Sequence, residues 1–346
     1  MKRDYFIDYA KAFLIPLVII GHILYIYVPN DYPFDLNITS NRLIEIIESV
    51  IYSFHMSAFF LISGYLSKYS MDKYDFASFT KKVVKRLVIP FIFFKYFLLQ
   101  PVHLWINPDK YGDFGASFFI NYISDTSFGH LWFLVSLTVF QFFSYFIYHY
   151  LWRNKIIKFL LFGFLLIATF NSVVLSSWLP IMSGTVNNIL KYFIYYVAGI
   201  ELNTVINKVN NTNLNRLPCI VGVGGGIAIF VIYIDLMLSN SYFSTFTRLY
   251  LTFLYLLIIY VKFGNHLKES RIVAYINKLS MPLYLWHQLF IFIFLKIWNP
   301  KLGYTGLYII CCLLFAVVLS ILSSTIFSIL NISVLDGGIK IYQKKK

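Results

Sequence analysis

Ten long apolar segments constrain the fold of this 346-residue chain more than any other feature. Each is close to the ~20 apolar residues that a helix needs to cross a bilayer. Only 13% of the residues are charged, whereas a soluble domain carries about 25%. We therefore predict an all-α, polytopic membrane helix bundle with about ten transmembrane helices. The predicted spans are 5–28, 43–66, 87–104, 130–151, 157–175, 189–206, 218–236, 247–261, 279–297 and 305–330.

The basic residues are distributed unevenly between the two sides of these spans. Of the 29 Lys and Arg residues, 21 fall in the N-terminal segment, the tail and alternate connections. Basic connections stay in the cytoplasm, so we expect both termini to be cytoplasmic. The net charge of +14 is then mainly a topology signal, with anionic lipids or ligands as secondary uses and no nucleic-acid partner. Five basic residues fall on the opposite side, namely Arg42, Lys110, Lys191, Arg248 and Lys301, and three lie within spans, namely Lys11, Lys95 and Lys296.

The connections are too short to form a soluble domain. We predict one transmembrane domain over residues 1–335 and a short basic cytoplasmic tail over 336–346. The outer connections 29–42 and 105–129 are long enough for a lid only. The glycine-rich run 221–226 lies inside a span with no strand before it, so helix packing by small residues is favoured over a nucleotide loop.

Residues 1–28 have the basic start of a signal peptide but not its uninterrupted apolar region. Asp4, Asp8 and Lys11 break that region, and no small-residue cleavage pattern follows Val28. We therefore interpret the segment as the first span. The cysteines, Cys219, Cys311 and Cys312, lie in apolar runs without disulfide or metal-ligand spacing. No two histidines are three or four residues apart, so no metal site is predicted.

The first span carries ionisable residues along one side. At about 100° per residue, Lys11 and His22 are only about 20° from the same face, and Asp8 precedes Lys11 by three residues. The helical rise places His22 about 16 Å further from the cytosol than Lys11. This stripe is either a buried ion pair with a core histidine or part of a functional site. Inside a membrane, ionisable groups usually mark a pathway or site.

Other polar residues at membrane depth form two predicted layers. His22, His55, His130 and His287 lie at outer to middle depth, with Glu48 on the outer part of the second span. Lys11, Lys82, Lys85 and Arg86 lie on the cytoplasmic side. A structural role remains open for each of them, and the basic loop residues also serve topology.

Five motifs in this order resemble the acyltransferase family 3 membrane proteins, and the resemblance covers nearly the whole chain. The motifs are Lys11 with His22 eleven residues on, FHMSAFFLISGY, KRLVIP, GHLWFL and LSMPLYLWH. They are most similar to the branch of the family that contains fucose 4-O-acetylases. The first basic residue is often Arg in the family and is Lys11 here, which loses the planar guanidinium fork. FHMS also replaces the commoner FHMP, with Ser57 at the changed position.

The resemblance implies transfer of an acyl group, usually acetyl, from cytoplasmic acetyl-CoA to a hydroxyl on a cell-envelope glycan or its lipid-linked precursor, at the cytoplasmic membrane of a bacterium. His22 is then the expected general base. Asp8 and Lys11, at the cytosolic end of the same helix, are the other expected catalytic residues, with Lys11 helping to place the acyl donor. Arg86, Lys85 and Lys82 are expected to meet the phosphates of CoA. The candidates for binding the acceptor or supporting the oxyanion are His55, His130, His287, Glu48 and Trp132.

A transporter of a glycan or lipid-linked sugar is the competing interpretation, because intramembrane charges fit that class too. The chain shows no inverted repeat or pair of broken helices, which many transporters have. The acceptor hydroxyl, the size of the acyl group and the oligomeric state are not specified by these patterns.

Overall fold

The computed structural model describes residues 5–28, 41–112, 114–178, 183–210, 224, 227–228, 231–232, 241–263, 270–298 and 305–337. Within these residues every regular element is helical, which confirms the predicted class. The helices are α1 Tyr5–Leu24, α2 Arg42–Lys73, α3 Phe76–Val83, α4 Ile89–Phe93, α5 Gln100–Ile106, α6 Ala116–Ser124, α7 Trp132–Phe146, α8 Lys155–Phe170, α9 Ser172–Ser176, α10 Ser183–Asn210, α11 Ser241–Phe263, α12 Arg271–Ile297 and α13 Thr305–Ile329.

Six of the described helical segments are long and apolar enough to cross a membrane. They are Tyr5–Tyr27, Arg42–Lys73, Phe76–Ile106, Gly129–Leu151, Arg271–Ile297 and Thr305–Ile329. Three other predicted spans also fall on helices, in α8–α9, α10 and α11. The number ten and the cytoplasmic termini stay predictions, as does the division at residue 335. Most of 218–236, including all of the glycine-rich run except Gly224, lies outside the described residues, as do residues 29–40 and the tail from residue 338.

The chain forms two compact units that are interleaved in sequence. Unit 1 comprises Met1–Leu14, Val50–Val83 and Ser136–Ala274, and unit 2 comprises Ile15–Ser49, Val84–Val135 and Tyr275–Lys346. Both units are built from helices whose buried faces carry polar and small residues.

Two glycines allow α2 and α10 to cross at very short range in unit 1. A Cβ added to Gly64 would lie 1.9 Å from the carbonyl oxygen of Tyr196, and one added to Gly199 would lie 1.9 Å from that of Leu61. Such backbone approach is the usual role of small residues between membrane helices. Beside the crossing, the Tyr196 hydroxyl donates to Ser67 Oγ at 2.7 Å. The glycine of the ISGY motif is therefore explained by packing.

In unit 2, α12 is the central helix, and fifteen consecutive or near-consecutive residues from Leu279 to Leu295 are buried. On α13 the usual soluble pattern is reversed. Its exposed side chains are apolar, as at Leu314, Val318 and Leu322. Its buried side chains at a four-residue spacing include three serines, Ser320, Ser324 and Ser328. Leucine outward and serine inward is the pattern expected when the surrounding medium is lipid.

The long segment from Phe76 to Ile106 contains two π-helical turns, Val84–Val88 and Phe94–Leu99. Each ends shortly before a proline, Pro90 or Pro101. Proline cannot donate to the preceding turn and its ring crowds that turn, so a locally wider helix relieves the clash. The two turns change the direction in which Arg86 and Lys95 project, and both residues matter below.

The crossing of α2 and α10 predicts that Gly199→Ala lowers stability by at least about 2 kcal/mol, because the new methyl group overlaps backbone atoms that cannot rotate away. The melting temperature of detergent-purified protein measures this. Gly163→Ala in α8 is the matched control, since nothing lies within 4 Å of its added Cβ. It should leave stability unchanged or raise it slightly. Equal behaviour of the two variants would contradict the close crossing.

Candidate functional site

Three histidines that are far apart in sequence meet in unit 2. The ring centroid of His22 lies 5.1 Å from that of His287 and 6.3 Å from that of His130. The rings of His130 and His287 are 5.2 Å apart. His22 comes from α1, His130 from the 3-10 turn Gly129–Leu131, and His287 from α12. We call these three residues the histidine cluster.

The members of the cluster differ in exposure. His287 is fully buried and His130 is 5% exposed, whereas His22 is only half-buried. A reactant approaching the cluster therefore meets His22 more readily than the other two. Gly129 has φ +48°, a conformation that glycine adopts without steric cost, and it begins the turn that carries His130.

Backbone carbonyls fix the protonation of the two buried rings. His287 Nδ1 lies 2.9 Å from the carbonyl oxygen of Leu283, and His130 Nε2 lies 3.3 Å from that of Leu285. A carbonyl oxygen only accepts, so these nitrogens carry the ring protons and donate. The opposite nitrogens, His287 Nε2 and His130 Nδ1, are buried and have no hydrogen-bond partner among the described residues. Each of these rings therefore holds an unused lone pair.

Tyr284 completes the attachment of His130 to α12. Its hydroxyl donates to the backbone carbonyl of His130, while the His130 ring donates to the carbonyl of Leu285. Two bonds in opposite senses thus join the 3-10 turn to α12, one turn away from His287. This arrangement keeps the distance between the two buried imidazoles fixed.

A narrow, half-open cavity begins beside His130. Its lining includes Lys95, Gln100, His103, Lys110 and Ser127. The cavity volume is about 20 Å³. This is room for one functional group and too little for a sugar ring. The cavity therefore provides polar contacts next to the histidine cluster.

The ammonium of Lys95 is the main charge in this cavity. The residue is 4% exposed, donates to the backbone carbonyl of Asp125, and lies 4.5 Å from the ring centroid of Phe128. One carbonyl uses one of its three N–H groups, and the aromatic face stabilises the charge further. Lys95 was recognised in the sequence as a charge within a span, but nothing in the sequence indicated what it faces.

The carboxylate of Asp125 accepts hydrogen bonds from three side chains of the segment between α5 and α7. It accepts from Lys110 at 2.9 Å, from Tyr111 at 2.6 Å and from Ser127 Oγ at 2.5 Å. Burial alone would raise the pKa of the Asp125 carboxyl, but these hydrogen bonds outweigh it and hold the pKa well below its usual range. Burial and the bond to Asp125 raise the pKa of the Tyr111 hydroxyl. This network positions the wall of the cavity.

Asp125→Asn should therefore destabilise the fold by about 2 kcal/mol, because a half-buried network loses its negative charge and one of its two acceptor oxygens. Since the folded pKa is depressed, the carboxylate contributes its full stabilisation above the unfolded pKa of about 4 and loses it as the pH falls further. Melting temperatures of wild type and variant should differ by a constant amount from pH 5 to pH 8 and converge below pH 4. A difference that vanished already at pH 6 would contradict the network.

The other predicted acceptor-side residues are His55, Glu48 and Trp132. His55 lies in unit 1, where its Nδ1 bonds to the carbonyl of Ile51 at 2.6 Å and its ring is 5.0 Å from Tyr52. Glu48 in unit 2 is 7% exposed, and Trp132 begins α7 next to the turn of His130. The structure thus brings together three of the four histidines that the sequence placed in one layer.

The predicted donor-side residues differ in how free they are to bind a ligand. Lys82, in unit 1, donates to Ser70 Oγ at 2.5 Å and lies over the Tyr74 ring at 5.1 Å. Lys85 and Arg86, in unit 2, are exposed on the π-helical turn Val84–Val88. Lys82 therefore has a structural role already.

Asp8 and Lys11 lie on the first half of α1, within unit 1, and both are half-buried. The helix is continuous from Tyr5 through Pro16 to Leu24, so the predicted spacing of Asp8, Lys11 and His22 along one helix is present. Among the described residues, no group of three His, Cys, Asp or Glu side chains has the geometry to hold a metal ion.

Comparison with known proteins assigns the fold and the cluster to a family. The family described as "Acyltransferase domain", the acyltransferase 3 family, matches residues 4–325. The chain belongs to the acyltransferase 3 family. This match includes all three members of the histidine cluster, the cavity and the exposed basic turn. No solved structure matches the chain.

Curated relatives match over shorter stretches. Glucans biosynthesis protein C of Shigella dysenteriae serotype 1 is 31% identical over 144 residues, which is 40% of this chain and 37% of that protein. The Escherichia coli protein of the same name is 31% identical over 145 residues with the same coverage. Nodulation protein NolL of Sinorhizobium fredii is 32% identical over 92 residues, or 27% of this chain and 23% of that protein. The matched stretches span well under half the length of these relatives.

Proposed function

We propose that this protein is a membrane O-acyltransferase, most specifically an O-acetyltransferase. It moves an acyl group from cytoplasmic acetyl-CoA to a sugar hydroxyl of a cell-surface polysaccharide or its lipid-linked precursor, in the cytoplasmic membrane of a bacterium. The observation that carries this proposal is the histidine cluster, in which a half-buried imidazole has two buried imidazoles with unused lone pairs beside it, in a chain of an acyltransferase family.

His22 is the general base in this proposal. A sugar hydroxyl is a weak nucleophile at neutral pH, and a neutral imidazole can take its proton as attack begins. The hydroxyl oxygen forms a bond to the thioester carbon, His22 accepts the hydroxyl proton, and the carbon–sulfur bond then breaks. The imidazolium returns the proton to the departing CoA thiolate, which leaves the histidine neutral for the next cycle.

His287 and His130 act as positioning residues for His22. The His287 ring is only 5.1 Å from His22, and its Nε2 lone pair is available to accept an N–H of His22. That bond would keep the lone pair of His22 directed at the acceptor hydroxyl and would stabilise the imidazolium, as a second base does in other catalytic pairs. His130 contributes the second lone pair from the cavity side.

The acceptor approaches through the cavity beside His130. Its lining carries ammonium, amide, imidazole and hydroxyl groups, and such groups together bind sugar hydroxyls and substituents. A saccharide acceptor also agrees with the name of two relatives, glucans biosynthesis protein C. The small volume implies that one substituent enters while the sugar ring stays at the mouth.

The acyl donor is held by Arg86 and Lys85. Both are exposed at the start of a predicted span on the basic, predicted cytoplasmic side, and a guanidinium suits the phosphates of CoA. Lys82 assists less in this scheme, because Ser70 and Tyr74 already hold its ammonium. Lys11 is left to balance Asp8 on the stripe that leads to His22.

His22→Ala should abolish transfer of labelled acetyl from acetyl-CoA to a glycan acceptor, a loss of at least about 100-fold, because the base contributes that much to catalysis. Purified protein in lipid nanodiscs, assayed for labelled glycan, measures this. His149→Ala is the matched control, since that ring is exposed on the turn after α7. Retained transfer in His22→Ala would refute the assignment. Movement of glycan without labelling, measured with the same protein in sealed liposomes, would indicate a transporter.

Arg86→Ala should raise the KM for acetyl-CoA by about 10-fold or more while kcat changes little, because a phosphate contact far from the thioester contributes to binding in the ground and transition states alike. Arg153→Ala removes an exposed arginine elsewhere and should leave the KM unchanged. An unaltered KM in Arg86→Ala would mean that this residue serves membrane topology only.

A further inference from the structure

A buried arginine in unit 1 has no ionic partner within the part of the chain that the structure describes. Arg248 of α11 is 6% exposed, and its Nη2 donates to Ser244 Oγ at 3.4 Å. Its Nε and Nη1 are buried and have no hydrogen-bond partner among the described residues. The Arg248 side chain stays positively charged in this buried position, because the pKa of a guanidinium is too high for it to lose its proton in a protein.

A second cation lies next to it. Lys191 of α10 is half-buried and interacts electrostatically with Arg248. Both cations lie 5.7 Å from the ring centroid of Tyr192. Neither forms an ion pair with a described carboxylate, and Glu201 on the same helix is paired with Lys158 at 2.5 Å. Two like charges thus share one side of unit 1.

Unused polar atoms surround this pair. The hydroxyl of Tyr195 is close enough to Ser57 and Arg248 to interact with both, but within the described part of the chain none of these groups forms a well-aligned hydrogen bond through the Tyr195 and Ser57 hydroxyls or the Nε and Nη1 of Arg248. Thr252, one turn after Arg248, and Asn187, one turn before Lys191, each carry a buried oxygen without a partner among the described residues. Residues four apart share a helix face, so these oxygens lie on the faces that carry the two cations.

Two buried cations among unpaired hydroxyls raise the free energy of the folded state unless another group binds between them. A buried charge without a partner loses several kcal/mol of hydration, and each unpaired buried hydroxyl adds about 1–3 kcal/mol. Two positive charges match a phosphate monoester, whose charge is close to −2, better than a carboxylate or a phosphodiester of charge −1. The surrounding hydroxyls supply additional donors for its oxygens.

We propose that Arg248 and Lys191 form a binding site for a phosphate group inside unit 1. Arg248 anchors the phosphate from the buried side, and Lys191 contacts it at the more accessible edge. The phosphate comes either from a lipid head group or from a soluble phosphate ester, which present the same chemistry to the guanidinium. The site is independent of the histidine cluster and of acyl transfer, so each proposal can fail without the other.

The test uses purified protein in nanodiscs of phosphatidylcholine. One arm adds inorganic pyrophosphate at constant ionic strength, and the other adds phosphatidic acid to the nanodisc lipid. Saturating ligand should raise the melting temperature of the wild type by about 3 °C, because it binds only the folded state. A shift with pyrophosphate identifies a soluble ester as the source, and a shift with phosphatidic acid identifies a lipid.

Arg248→Met should remove the shift in both arms. In phosphatidylcholine without added pyrophosphate or phosphatidic acid it should be as stable as wild type or more so, since it removes an uncompensated buried charge. Arg42→Met deletes an exposed arginine and should keep the full shift. Lys191→Met provides a second variant and should weaken the shift.

Absence of any shift in the wild type would overturn the proposal. A full shift in both Arg248→Met and Lys191→Met would also overturn it. If Arg248→Met is strongly destabilised in phosphatidylcholine alone and neither added anion shifts the wild type, a carboxylate of the chain itself neutralises Arg248, and the proposal is wrong.

Discussion

A polar group buried among apolar helices must find its partner within the protein, because lipid offers none. On α13, Ser320 satisfies this rule locally by donating to the carbonyl of Ala316. In the histidine cluster only some of the buried ring nitrogens find such a partner. His287 and His130 each use one nitrogen to bind a carbonyl and leave the other without a partner. In the proposed reaction the nitrogen without a partner is the reactive half of each ring, and the bonded half holds the ring in place.

The same rule explains how a connection between helices forms part of the site. The connection after α5 carries Lys110, Tyr111 and Asp125, and the carboxylate of Asp125 binds both other side chains. Its backbone carbonyl accepts from Lys95, which the second π-helical turn carries. The cavity wall is therefore fixed by charge-assisted hydrogen bonds on one side and by a distorted helix on the other. The distortion follows from Pro101, which cannot continue a regular ladder.

The sequence predicted the class of fold and the depth of several groups, since apolar length and helical period depend on local sequence alone. It placed His22, His130 and His287 in one layer, and these three meet. His55 shared that depth but belongs to the other unit, because depth says nothing about which helices pack together. Gly64 was recognised within a motif, but only the 1.9 Å approach to the Tyr196 carbonyl explains it. Lys95 and Asp125 could not be paired from the sequence, because thirty residues and two irregular turns separate them.

The spacing of the cluster also limits how many protons it can hold. Two imidazolium rings 5.1 Å apart would repel by about 3 kcal/mol at an effective dielectric constant of 20, and a third would add similar terms. The cluster therefore accommodates one extra proton far more easily than two. One proton is what an attacking hydroxyl releases, and one proton is what the leaving thiolate requires. The spacing therefore fits the proposed reaction, in which a single proton moves between two steps of one transfer, the buried pair stabilises the charge and the half-buried ring exchanges it with the reactants.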